Sequence, residues 1–442
     1  SYNPSNAPTL GSPLQVKVNL DRPRQKIDGF GGSIAFWGTN PDDETMKIAF
    51  DELKTSVLRV QGEVSRKGLN DHNKEVLQRA MKINPGLQVL LTFWQPRSSE
   101  YLEKSDWLDE VEGTDYFHYS LKPSMEDAWA DEIVKRTQQY LDWGINVTTI
   151  GVQNETNYSK IGSQTCVWDP QRLTLFIEEK LRPRMKRAGL EVSITAPDLA
   201  YVGYQGSELT RFLPTIRSQS VDIVAYHMYD SFRDDMNGSI EVLRENTRNI
   251  GKIRQQEFPG KKFWMTETTG AQWNNDEWHT YGWSRGMTEF DKAMRAAEYM
   301  NMSFVDGGAN AFLWWGLIYS LAPDHETNPD VRQKHRDEGL VLVEEQQGLD
   351  GRQKLVERTK KFFIFKQFAN FIRPGFRRIE VDSPEPLQVS AYLNRKEDGF
   401  VVVVVNPSKS AHPVTFNLST NMKVKKTFQT DRNLNCEEID SS

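Results

Sequence analysis

Eight short runs rich in apolar or β-branched residues recur along this chain, and most of them are followed by a stretch with helical punctuation. They read Lys26–Ser33, Ser56–Gln61, Gln88–Trp94, Val147–Asn154, Glu191–Ala196, Val221–Tyr229, Lys262–Thr268 and Ala309–Gly316. Several are apolar without strict alternation, the pattern of parallel strands buried on both faces. Eight strand-helix units predict a closed (β/α)8 barrel, the TIM-barrel class of α/β fold. Helix signals separate them: Asp169-Pro170 reads as an N-cap with proline at the first helical position, and Ser124-Met-Glu-Asp as a capping box. Pro183 predicts a kink or restart within the helix that follows Asp169.

After Pro374-Gly375 the pattern turns to alternating strands, Leu387–Leu393, Gly399–Asn406, Pro413–Leu418 and Val424–Gln429, with no helical stretch between them. Such a tail predicts an all-β module. Leu14–Leu20 also alternates and is expected to join it, so the expected division is 21–373 for the barrel and 11–20 plus 374–442 for the β module. A polar segment, Ala322–Lys354, separates the last barrel strand from its helix and reads as a long structureless loop on the face where barrel active sites form.

Composition narrows the function. With 55 Lys+Arg against 61 Asp+Glu there is no basic field to hold a polyphosphate, which excludes nucleic acid as an expected partner. The longest apolar stretch, Ala311–Leu321, is too short to span a bilayer, so no membrane insertion is expected. Cys166 and Cys436 stand at neither a metal-ligand nor a redox spacing, and the histidines His227, His279, His325 and His335 form no paired motif, so neither metal nor cofactor is expected. The chain opens Ser1-Tyr-Asn-Pro without a charged and apolar leader, which suits a mature exported protein or a chain trimmed by other means; the expected location is secreted or periplasmic, and the expected state is a monomer.

In a barrel of this class the chemistry is carried at the carboxyl ends of the strands. Glu155 ends the fourth run and Glu267 the seventh, which sets two carboxyls across one mouth. Cleaving a glycosidic bond with retention needs such a pair, one to protonate the leaving oxygen and one to attack the anomeric carbon. Asn154 is placed to hydrogen-bond a sugar hydroxyl. Arg59, on the second run, is suited to orient the attacking carboxylate, with a structural ion pair as the plain alternative. His227 and Tyr229 share a face at the end of the sixth run, while Trp94, Trp273 and Trp315 are candidate stacking platforms, core filling being the other use of so many aromatics.

These motifs in this order resemble glycoside hydrolase family 30: Asp28-Gly-Phe-Gly-Gly on the first strand, Gln153-Asn-Glu155 on the fourth and Thr266-Glu267 on the seventh. Arg373-Pro-Gly-Phe, Val389-Ser-Ala-Tyr and Val401-Val-Val-Val-Val-Asn406 in the tail are similar to the sandwich of its xylanases. The resemblance implies a retaining enzyme with Glu155 as acid/base and Glu267 as nucleophile, acting on a polysaccharide or oligosaccharide, first of all β-1,4-xylan. It leaves open β-1,6-glucan, β-1,6-galactan and simpler β-glycosides. Glucuronate-directed xylanases of the family are expected to carry Arg after the eighth-strand aromatic pair, where this chain reads Trp314-Trp315-Gly-Leu-Ile-Tyr-Ser. Two other classes stand against the hydrolase reading: an inactive carbohydrate-binding barrel, which predicts a missing carboxylate, and a metal-dependent barrel such as a sugar isomerase, which predicts loss of activity on chelation.

Overall fold

The computed structural model describes residues 9–34, 39–64, 69–99, 106–111, 118–158, 165–232, 240–269, 272–274, 279–281, 287–345, 351–418 and 421–441. Eight parallel strands close into a barrel: β1 (Gly29–Ser33), β2 (Val57–Gln61), β3 (Gln88–Thr92), β4 (Val147–Gly151), β5 (Ser193–Leu199), β6 (Ile223–Tyr226), β7 (Lys262–Met265) and β8 (Ala311–Ser320). Each pairs with its successor, and β8 returns to β1, so this sheet has no free edge within the barrel. All eight predicted runs supply a strand.

Side chains inside the barrel follow from the two-residue period of a strand. Val57, Leu90, Ile223, Trp264, Ala311 and Leu313 form a buried cluster in the barrel interior, distinct from the larger core shared with the helices. Two residues further along the same strand faces come Arg59, Thr92 and Thr266, and a second step along β6, from Ile223 through Ala225, reaches His227. The apolar floor therefore fixes which polar residues look into the mouth.

Glycines let the strands come this close. A Cβ at Gly31 would lie 1.6 Å from the Val57 carbonyl oxygen, and one at Gly32 would lie 2.6 Å from that of Trp314. The Gly-Phe-Gly-Gly run is thus a requirement of β1 packing between β2 and β8.

Among the helices, Asp169 caps Pro170–Leu175 by accepting from the backbone N–H groups of Gln171 and Arg172. A π-helical turn, Phe176–Leu181, precedes Arg182–Arg187 where Pro183 was expected to interrupt; proline has no N–H to continue the ladder. The capping box at Ser124 does not form. A 3-10 turn over Pro123–Met125 absorbs that serine, and helix Glu126–Asp142 starts after it with no side-chain cap.

Two features depart from expectation after β8. The segment Ala322–Lys354 is not a structureless loop: it holds helix Pro329–Glu338, capped by Asn328, and strand Gly339–Val343. That strand pairs in parallel with the outer half of β8, and Leu355–Arg358 pairs antiparallel beyond it. Asn328-Pro329 is a helix start and Gly339-Leu-Val-Leu-Val is a buried strand, both masked in sequence by the polar residues around them.

The tail forms a five-stranded sheet in the order Phe400–Val405, Gln388–Leu393, Arg377–Asp382, Leu14–Lys26 and Val414–Leu418. The 13-residue strand Leu14–Lys26 pairs antiparallel with Arg377–Asp382 and parallel with Val414–Leu418, so the first part of the chain lies inside a sheet made by the last. The sheet meets the barrel at helix Glu289–Val305, where Gln388 donates to Glu298 at 2.9 Å and the rings of Tyr392 and Phe304 meet edge to face. Among the described residues no helix is long and apolar enough to cross a membrane.

The glycine requirement is testable. Gly31→Ala is expected to destabilise the fold by about 3 kcal/mol or more, since the methyl meets backbone that cannot rotate away. Gly351→Ala, with nothing within 4 Å of its Cβ, is the matched control. Urea midpoints that are equal for the two variants would refute the close-packing account.

Candidate active site

Arg59 is fully buried at the centre of the mouth, and each of its nitrogens has a partner. Nη1 donates to Glu267 at 2.8 Å, Nη2 donates to Asn154 at 2.7 Å and to Asp198 at 3.0 Å, and Nε donates to the Thr92 hydroxyl at 3.2 Å. Its guanidinium plane lies 4.4 Å from the centroid of the Trp94 ring. One planar cation thereby ties together the ends of β2, β3, β4, β5 and β7.

Glu155 leaves the end of β4 with a left-handed backbone, φ 45°. Such a conformation costs a non-glycine residue about 1 kcal/mol or more, and it persists where surrounding contacts impose it. Here its N–H donates to the Asp198 carbonyl at 3.0 Å, and its own carbonyl accepts from the Thr165 hydroxyl at 2.6 Å and from the Tyr158 N–H at 2.9 Å. Asp198 and Met228 are also left-handed, φ 58° and 72°. Three of the strand ends that line the mouth turn by the same device.

His227 joins the two glutamates. Its Nε2 lies 2.8 Å from Asp198 Oδ1, and its Nδ1 faces Glu155 at 3.6 Å and Glu267 at 3.9 Å. Burial works against charge on the ring, but Asp198 and Glu267 more than offset it, and the imidazole is pushed up to about 10. For Asp198 burial is likewise outweighed, by His227 and Arg59, which hold its carboxyl well below the usual carboxylate range. Glu155 goes the other way: burial and the neighbouring Glu267 raise it, with His227 and Arg59 pulling back. Burial and Glu267 also raise the Tyr229 hydroxyl, which shares a hydrogen bond with Glu267 and so stays a donor.

One oxygen of Glu155, one of Glu267 and one ring nitrogen of His227 all lie within 4.8 Å of one another, close enough to be weighed as a cation cluster. The charges argue against that use. A ring that titrates near 10 must give up a proton to bind a metal, and the Arg59 guanidinium already sits 2.8 Å from Glu267.

The structure brings Arg59, Asn154, Glu155, His227, Tyr229 and Glu267 together. Trp94 is close by but buried, its ring 4.4 Å from the Arg59 guanidinium carbon and 6.4 Å, centroid to centroid, from the ring of Trp315; of the two tryptophans Trp315 is the more open. Trp94 thus backs the site rather than presenting a free face. Trp273 falls in a ribbon, Gln272–Asn274 paired with His279–Tyr281, and its side chain lies outside the described residues. Asp198 went unrecognised in the sequence. The fifth run was expected to stop at Ala196, whereas β5 continues to Leu199 and delivers Asp198 to the mouth.

No family model matches the chain. Glucuronoxylanase XynC of Bacillus subtilis is 23% identical over 410 residues, covering 89% of this chain and 78% of that protein. Among solved structures, the GH30 endoxylanase of Clostridium papyrosolvens superposes with a TM-score of 0.65 at 20% identity, over 96% of this chain and 93% of the other. The fold is that of glycoside hydrolase family 30. An endo-β-1,6-glucanase superposes equally well, TM-score 0.65 at 20% identity over 90% and 87% of the two chains. The likeness to family 30 runs through the barrel and the side sheet alike.

Linkage makes the cluster testable. A histidine raised from 6.5 to about 10 contributes stability that is fully present below pH 6.5 and lost as pH rises through 10. Asp198, lowered from 3.8, contributes stability that is present above that value and lost as pH falls through its folded value. Asp198→Asn removes the partner of both cations and is expected to cost about 3–5 kcal/mol, as breaking a buried pair does. In the same variant the ring nitrogens of His227, followed by NMR, should titrate below pH 10. An unchanged titration would show that Asp198 does not hold the charge.

Proposed function

We propose that the protein is a retaining glycoside hydrolase acting on a β-linked glycan, with Glu267 as nucleophile and Glu155 as acid/base. The observation that carries this reading is the approach of the two carboxylates. Oxygens within 4.8 Å fit the roughly 5–5.5 Å separation of retaining pairs and fall short of the roughly 6.5–9.5 Å that leaves room for an inverting water.

The environments divide the roles. Glu155, raised by burial and by its neighbour, holds a proton to give to the glycosidic oxygen. As the bond from the anomeric carbon to that oxygen breaks, a Glu267 oxygen bonds to the same carbon, and the leaving alcohol departs with the proton. Arg59 and the Tyr229 hydroxyl hold Glu267 in line for that attack. Once Glu267 is an ester it carries no charge, so the repulsion that raised Glu155 is gone. Glu155, now a carboxylate, takes a proton from water as the water oxygen bonds to the anomeric carbon; the ester bond breaks and both residues return to their starting forms. Two displacements at one carbon leave its configuration unchanged.

Xylan with β-1,4 links is the first choice of substrate, on the strength of the glucuronoxylanase and endoxylanase likenesses. β-1,6-Glucan is the second, favoured by the equally good superposition of the endo-β-1,6-glucanase. A glucuronate branch is not part of the proposal. Ile318, where a branch-reading arginine is expected, is buried and apolar, and the neighbouring Tyr319 hydroxyl is engaged with Glu338. The reading includes action outside the cytoplasm, where polymeric glycans are met, and a division into barrel and side sheet whose first boundary falls after Lys26 rather than after Leu20, because Leu14–Lys26 is one strand of the side sheet, and whose second stays between 373 and 374.

A screen of purified protein on xylan, β-1,6-glucan, β-1,6-galactan and aryl β-glycosides tests substrate, a ladder of products marking internal cleavage. Proton NMR of the first-formed sugar should show the β-anomer; an α-anomer would contradict the double displacement. Glu267→Gln should abolish turnover of every substrate, by about 10⁴-fold or more, as loss of a nucleophile does. Glu155→Ala should retain partial turnover of aryl glycosides whose leaving groups need no proton, and azide should restore rate with a β-glycosyl azide as product. Full activity in Glu267→Gln would remove the mechanism.

A further inference from the structure

Two residues beyond β2 the chain buries a carboxylate that the proposed chemistry does not use, that of Glu63. The backbone leading to it is clamped from helix Glu126–Asp142: the Tyr140 hydroxyl donates to the Gln61 carbonyl at 3.2 Å, and Arg136 Nε donates to the Gly62 carbonyl at 2.8 Å. The carboxylate accepts from the Gln61 side-chain amide at 2.8 Å and from the backbone N–H groups of Trp94 and Gln95 at 3.0 and 3.2 Å. Glu63 therefore fixes the turn by which the chain leaves β3.

Two paths of hydrogen bonds run from that turn to Glu155. On one, the Gln95 side-chain amide donates to the Thr165 carbonyl at 3.0 Å, and the Thr165 hydroxyl donates to the Glu155 carbonyl at 2.6 Å. On the other, the Gln153 side-chain amide donates to the Trp94 carbonyl at 2.6 Å and to the Asn154 carbonyl at 2.9 Å, while its own oxygen accepts from the Trp168 indole at 3.2 Å. Gln95, Gln153, Asn154, Thr165 and Trp168 are all buried, so water does not replace a bond that is lost. The Asn154 and Glu155 carbonyls belong to the two peptide groups that flank the Glu155 Cα. Holding both sets the backbone rotation between them, the left-handed turn with φ 45°.

We propose that Glu63 is a positioning residue for the acid/base: through Gln95 and Thr165 on one path and Trp94 and Gln153 on the other, it holds Glu155 in the turn that aims its carboxyl at the leaving oxygen. The inference rests on the reading of Glu155 as acid/base. Aim matters because a misplacement of about 1 Å can cost about 10²-fold in rate.

Glu63→Gln keeps the shape but sets an amide donor against backbone N–H groups, and Thr165→Val removes the hydroxyl at the far end of the first path. Each is assayed on two glycosides of the sugar that the wild type releases: a phenyl glycoside, whose leaving group needs a proton, and a dinitrophenyl glycoside, whose leaving group does not. In both variants kcat/KM for the phenyl glycoside should fall about tenfold or more, while that for the dinitrophenyl glycoside stays within about threefold of wild type. Equal losses on the two substrates would place the effect on the nucleophile, by way of Trp94 and Arg59, or on the fold at large, and would overturn the proposal; so would no loss on either. Should Glu63→Gln not fold, Glu63→Asp, which keeps the charge and withdraws it by one methylene, takes its place. If the wild type cleaves neither glycoside, the acid/base reading fails, and the Glu155 carboxyl, followed by carbon-13 NMR and assigned with Glu155→Gln, decides the positioning alone. Its titration should move by about half a pH unit or more in both variants, because its distances to Glu267 and His227 change. A titration that stays in place would refute the role of Glu63.

Discussion

A single buried guanidinium holds this site together. Arg59 has no access to water, and placing a cation in such a position costs several kcal/mol unless every donor is met. Asp198, Glu267, Asn154 and Thr92 meet them, and each comes from a different strand end. The strand ends must therefore converge to within tenths of an ångström, or the charge is left unpaired. The same requirement explains why two of the residues around it, Glu155 and Asp198, accept left-handed backbone: the barrel positions the chain ends, and the arginine makes their positions non-negotiable. A pair of carboxylates close enough to share a substrate would repel each other. Arg59 and the His227 imidazolium supply the opposing charge.

Sequence and structure agree best where one rule dominates. The barrel strands are apolar because both faces are buried, and that pattern survives any loop between them, which is why all eight were legible. Glu155 and Glu267 were legible for a related reason: Glu155 follows directly on its run and Glu267 stands next to last in its own, at the carboxyl ends that face the mouth. Agreement fails where burial is supplied from outside the run. Asp198 lies behind Pro197, which reads as a break, yet the strand continues through it because β6 pairs alongside. Gly339–Val343 was hidden in a polar segment because its burial comes from β8 and from Leu355–Arg358, neither of which is adjacent to it in sequence. Ser124 was misread in the opposite sense. Its local pattern is a good cap, but Pro123 starts a turn one residue too early for that cap to be used.

Trp94 shows how residue type alone can mislead. A tryptophan at the end of a barrel strand suggests a surface for sugar, but its face is already covered by Arg59 and its neighbour Trp315. Glu63 locks it further, accepting from the Trp94 N–H at 3.0 Å and from the Gln95 N–H at 3.2 Å. Burial pushes the Glu63 carboxyl up even against those donors. Such backing residues leave no trace in composition. They appear only when the partners of the exposed ring are followed inward.

The strand Leu14–Lys26 is completed on both sides by segments from the far end of the chain, Arg377–Asp382 and Val414–Leu418. On a ribosome it emerges well before either neighbour, and until they follow its apolar face has no sheet to enter. The barrel can assemble from successive strand-helix units as they appear, but the seam joining barrel to side sheet closes only once Arg377–Asp382 and Val414–Leu418 have been made. Order of assembly is thus written into the topology: interior first, outer brace last.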